Sequence, residues 1–137
     1  MVERIDQRNW GNTFCLAACK LAIARFYRGR HITMDTLFNS GAVNRSTGFV
    51  NVAGVGQFTA THNLALNFTT IFNEIRAGRP VIIRGTTASG SQHFVVGCQA
   101  TSASAAGITV MEPWGGVMVP LNGSQLRNVT NHRTTRP

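Results

Sequence analysis

Along residues 12–28 (NTFCLAACKLAIARFYR) apolar side chains return every three or four positions, at Phe14, Ala17, Ala18, Leu21, Ala22 and Phe26. That spacing predicts an amphipathic helix with Asn12 or Thr13 as N-cap and Gly29 as its stop. A shorter helix is predicted from Thr33 to Asn39, closed by Gly41. Glycines at 48, 54 and 56 interrupt the stretch 42–68, where only 57–66 offers a helical turn or two. Helical spacing returns over 70–77 (TIFNEIRA), with Thr69 or Thr70 as cap, Gly78 as stop and Pro80 blocking continuation. Beyond Pro80 the runs become short and β-branched, predicting strands over Val81–Arg84, His93–Cys98, Ile108–Met111 and Val117–Leu121. Helices first and strands second predict an α+β domain, a helical half packed against a small antiparallel sheet. The polar residues from Asn128 to the end, 128–137, predict a frayed tail.

Composition narrows the class. The 137 residues are 43% apolar and 13% charged, which suits one domain spanning 1–137 with a core of its own. No apolar run approaches the roughly 18 residues of a membrane span. The opening MVERIDQRNW lacks the apolar stretch of a signal peptide. Three cysteines (Cys15, Cys19 and Cys98) are too few and too odd for a disulfide framework, so a soluble protein of a reducing compartment is the expectation. Thirteen basic residues, twelve of them arginine, against five acidic give a net charge of +8. Such a charge favours an acidic partner. The arginines are scattered from Arg4 to Arg136, however, and form no zinc finger, RNA-binding motif or basic helix.

Three residues could carry chemistry. Cys15 falls in the first turn of the predicted helix, where unpaired amides and the helix dipole favour a thiolate. A buried cysteine acting as a small hydrophobe is the plainer alternative. His93 opens the strand HFVVGC, and Glu112 closes the next one nineteen residues later, before a Pro-Trp turn. If the two strands are antiparallel neighbours, a carboxylate at one end of the sheet can hold one imidazole nitrogen while the other faces Cys15. Cys19, one turn beyond Cys15, and Cys98 on the His strand read as core. Cys15, Cys19 and His93 make a poor zinc set, because no compact second ligand pair accompanies the Cys-x3-Cys. No metal or cofactor is called for.

The segment QRNWGNTFCLAACKLAIARFY resembles the nucleophile helix of papain-like cysteine peptidases, in the bacterial branch of bacteriocin-leader (double-glycine) peptidases and papain-like effector proteases. GRPVIIRG and SQHFVVGCQ resemble that family's Gly-x-Pro-led strand and catalytic His strand, and ITVMEPWGG resembles its strand ending in Asp-Pro. The three blocks cover about sixty of the 137 residues, in the family's order. The resemblance implies a papain-like fold in which Cys15 is the nucleophile, His93 the general base and then acid, and Glu112 the residue that orients His93. Glu112 departs from the usual Asp or Asn by one methylene. The oxyanion-hole glutamine commonly stands six residues before the Cys, where this chain has Asn9; Gln7 stands eight before and fits a loop two residues longer. Trp114 would cover the pair from water.

The activity implied is cysteine endopeptidase hydrolysis of a protein substrate. The small size implies the catalytic domain of a bacterial effector or toxin, secreted or delivered by a specialised system without a cleavable signal, acting in a target cytoplasm and neutralised by an acidic immunity protein. Deamidase, transglutaminase or amidase chemistry on the same triad is a second expectation. A non-enzymatic, arginine-rich nucleic-acid-binding module, with Cys15 and His93 structural, is a third.

Overall fold

The computed structural model describes residues 1–64 and 67–136. Helix α1 runs Cys15–Arg28 and buries every residue from Ala17 to Ala24, because alanines and Cys19 let the sheet and neighbouring loops close on it from several sides. Gly29, at φ 109°, ends it as predicted, its N–H returning to the Arg25 carbonyl. The predicted cap is corrected. The residue before the helix is Phe14, and no side chain caps the first turn. Thr13 is diverted: its hydroxyl donates to the Thr47 carbonyl, while the Phe14 ring is buried beneath Gly48.

That contact makes Gly48 a support of the loop leading into α1. Its φ is +75°, and a Cβ there would lie 2.7 Å from the Phe14 ring. Gly48→Ala is therefore expected to destabilise the protein by about 1–3 kcal/mol, read as a lower urea midpoint.

Helix α2 (Met34–Asn39) lies within the predicted span and is capped by Thr33, in a reciprocal pair with Thr36. A short α3 (Val52–Val55) follows. The helical turns expected over 57–66 are corrected in part: Ala60–Asn63 is a strand, β1, and residues 65–66 lie outside the described residues. Helix α4 (Phe68–Arg76) begins earlier than predicted, because Asn67 Oδ1 accepts from both the amide and the hydroxyl of Thr70.

The remaining strands are β2 (Val81–Thr86), β3 (Gln92–Ala100), β4 (Ile108–Glu112), β5 (Val117–Pro120) and β6 (Asn128–Arg136). Among the described residues they form, with β1, a six-stranded sheet in the order β1-β6-β2-β3-β4-β5, every neighbour antiparallel. The frayed tail over 128–137 is thus overturned for 128–136. β6 pairs by its backbone with β2 on one side and β1 on the other, and Thr134 is fully buried. Backbone pairing on both edges holds a strand whose side chains are mostly polar.

Alternate positions of the central strands face opposite layers. Ile82, Val96 and Met111 pack with α1 and α2, whereas Val81, Ile83, Val95, Ile108 and Val110 pack with Ile71 and Ile75 of α4. The sheet is therefore covered on both faces rather than by one helical half. No helix among the described residues is long and apolar enough to cross a membrane.

Candidate active site

His93 is the second residue of β3 and Glu112 the last of β4. The two strands pair Val96 with Met111 and Gly97 with Val110. Glu112 lies one residue beyond Met111, which brings it and His93 to the same end of this strand pair. The glutamate's extra methylene closes the gap: His93 Nε2 lies 2.7 Å from Glu112 Oε2, with both side chains buried. The carboxylate also accepts from the Trp114 amide at Oε2 (3.0 Å) and the Gln125 amide at Oε1 (2.9 Å). Those donors orient it as an acceptor for His93.

The chain's start braces this turn. Gln7 N–H donates to the Pro113 carbonyl, and Asp6 Oδ1 accepts from the Gly115 amide. The Arg8 side chain, then backbone donors from Arg8 and Gly115, hold the Asp6 carboxyl at about 2.

Cys15 is the first residue of α1 and half-buried. Its amide occupies a position with no partner inside the helix, and no side chain caps it. Burial by itself would lower the His93 pKa; its interaction with Cys15, and the hydrogen bond and charge of Glu112, outweigh burial and raise it to about 9. With Nε2 held by Glu112, Nδ1 is the nitrogen left for the thiol.

The other thiols differ. Cys19 is wholly buried, which pushes its pKa well above the ordinary thiol value, and the Cys15 charge adds to the shift. Burial pushes Cys98 up to about 11. Iodoacetamide at pH 7 is expected to modify Cys15 at least about tenfold faster than either. Peptide mapping over a time course checks this, and faster labelling of Cys19 or Cys98 would contradict it.

Gln7 is buried, and its Nε2 donates to the carbonyls of Gly11 (3.3 Å) and Asn12 (3.2 Å). Among the described residues Gln7 Oε1 has no hydrogen-bond partner. Asn9 is exposed, in the 3-10 turn Gln7–Asn9. Of the two candidates, Gln7 lines the same cleft as His93.

Two cavities adjoin here. One, about 530 Å³, is bordered by Cys15, Leu16, Phe49, Val50 and Phe94; the other, about 560 Å³, by Gln7, His93, Trp114 and Arg127. Asn12 and Gln92 border both. Trp114 is 38% exposed, with the Arg8 guanidinium 6.0 Å from its ring, so it walls the cleft as well as flanking the buried pair. Sequence reasoning missed Gln125, whose contribution is a backbone amide and leaves no side-chain signal. It also missed Phe94 and Val50, which read only as strand and loop residues.

Among the described residues, no group of three or more His, Cys, Asp and Glu side chains is disposed to hold a metal ion. A scan against protein-family models and a search of curated proteins find no match to this chain.

Proposed function

We propose that this chain is a papain-like cysteine hydrolase acting on peptide bonds. The observation that carries the reading is the position of buried His93, hydrogen-bonded to Glu112 and electrostatically coupled to Cys15, beside an open two-part cleft. A buried histidine with a purely structural role needs its nitrogens satisfied, but it does not need a half-exposed thiol at an uncapped helix start as one partner.

The chemistry follows from these positions. The Cys15 thiolate attacks the scissile carbonyl carbon, forming the C–S bond and placing the charge on oxygen. The Cys15 amide is one donor to that oxyanion. Gln7 is the second, once its Nε2 releases one of its two long bonds to Gly11 or Asn12. As the tetrahedral adduct collapses, the C–N bond breaks and His93 Nδ1–H protonates the departing amine. His93 then takes a proton from water, whose oxygen displaces sulfur from the thioester and releases the acid.

Gln7→Ala is expected to lower kcat by about 100-fold with a smaller change in KM, because the missing donor acts on the transition state. An equal loss in Asn9→Ala with none in Gln7→Ala would reassign the donor. The function itself is tested by exposing a proteome-derived peptide library to the protein and reading new N-termini by mass spectrometry. Cleavage is expected with wild type and absent with Cys15→Ala.

A further inference from the structure

The two halves of the cleft are chemically unlike, and the reaction fixes which part of a substrate enters each. His93 protonates the departing amine, so the leaving-group segment lies in the half bordered by His93 and the acyl segment in the half bordered by Cys15. The acyl half is walled mainly by apolar Leu16, Phe49, Val50 and Phe94, with Asn12, Thr13 and Gln92 at its border. The leaving-group half is walled by Thr87, Ser89, Ser91, Gln125 and Arg127 together with Trp114. Its hydroxyls form a chain, Thr87 Oγ1 to Ser89 Oγ at 3.0 Å and Ser89 Oγ to Ser91 Oγ at 3.3 Å.

Arg127 is the cation of this half. Its Nη1 donates to the Ser124 carbonyl (2.7 Å) and the Leu126 carbonyl (3.2 Å), which tethers the guanidinium at the rim. The carboxylate side chains are engaged elsewhere. Glu3 pairs with Arg25 and Arg30, Asp6 with Arg8, Asp35 with Arg45, Glu74 with Arg79, and Glu112 with His93. Among the described residues no ion pair involves Arg127. A guanidinium anchored through one nitrogen and facing a cleft of hydroxyls presents its remaining donors to an incoming carboxylate.

We propose that the leaving-group side selects acidic peptides, with Arg127 binding a carboxylate on the first or second residue after the scissile bond, and an apolar residue occupying the Cys15 side. This rests on the hydrolase reading of Cys15 and His93. The net charge of +8 acts in the same direction, since it draws anionic chains toward the surface.

The test uses quenched fluorescent peptides with an apolar residue before the bond and Glu, Gln or Lys after it, given to wild type, Arg127→Lys and Arg127→Glu. Wild type is expected to prefer Glu over Lys by about tenfold in kcat/KM, Arg127→Lys to keep most of that ratio, and Arg127→Glu to erase or invert it. Amidated peptides whose sole carboxylate is the side chain, against peptides carrying only a free C-terminal carboxylate, separate recognition of Asp or Glu from recognition of a chain end. A ratio unchanged in Arg127→Glu overturns the proposal. A second readout needs no turnover: the rate of Cys15 alkylation by iodoacetate relative to neutral iodoacetamide. That ratio is expected to fall at least about threefold in Arg127→Glu with the fold intact by circular dichroism. If no peptide is cleaved, the hydrolase reading fails, while an unchanged alkylation ratio overturns the anion site on its own.

Discussion

His93→Ala is expected to lower kcat/KM for peptide hydrolysis by a factor on the order of 10⁴, and to slow alkylation of Cys15 in the same protein. Both effects have one cause. The imidazole, its pKa raised to about 9 by its interactions with Cys15 and Glu112, is a cation at neutral pH. Removing it takes away the thiolate's partner and the proton donor for the departing amine together. The pH dependence of wild type follows from the same shift. A histidine raised from 6.5 to about 9 in the folded protein contributes stability that is fully present below pH 6.5 and is lost as pH rises through 9. Activity and thermal stability are therefore both expected to decline across that alkaline window. A flat stability profile between pH 6.5 and 9.5 would contradict the assigned shift.

Substitutions at Glu112 are expected to separate orientation from charge. Glu112→Ala leaves His93 Nε2 and the amides of Trp114 and Gln125 without their buried acceptor. The expected outcome is a loss of about 3 kcal/mol in stability and about 100-fold in rate, with residual turnover because Cys15 and His93 remain. Glu112→Gln can place its carbonyl oxygen at the Oε2 position and keep the bonds from His93 and Trp114, at the cost of opposing its NH2 to the Gln125 amide. Its rate loss is expected to be about tenfold, and its alkaline limb should move down from about 9, because the Glu112 charge that, together with Cys15, raises the His93 pKa is gone. Near-wild-type kinetics and an unmoved limb in both variants would show that another group orients His93.

The candidate residues Cys15, His93 and Glu112 were the most legible in the sequence, for a physical reason. Cys15 announces itself by the periodicity of the helix it starts, and His93 and Glu112 by their places at the ends of two β-branched runs one hairpin apart. What the sequence hid was carried by backbone or by tertiary diversion. The Thr13 hydroxyl would serve as a cap in an isolated helix, but here it bonds Thr47. β6 reads as a polar tail because its stability lies in two ladders of backbone hydrogen bonds, and its buried threonine resembles a surface residue until the partner strands are known. The second covering layer, α4 against Val81, Ile83 and Val95, was equally obscure. A run of consecutive apolar residues in a strand signals burial on both faces only once the sheet order is known. The Gln7 side chain, buried and bonded to Gly11 and Asn12, depends on loop geometry that spacing alone does not determine.

The central claim is that the Cys15 sulfur forms a covalent acyl intermediate with His93 as its partner. Intact-protein mass spectrometry after rapid mixing with a peptide p-nitrophenyl ester tests it most directly. Wild type is expected to gain the mass of the acyl group on Cys15 within the first turnover and then lose it by hydrolysis, with His93→Ala acylating far more slowly and Cys15→Ala not at all. Acylation of Cys19 or Cys98 in place of Cys15, or an equal rate in wild type and His93→Ala, would contradict it.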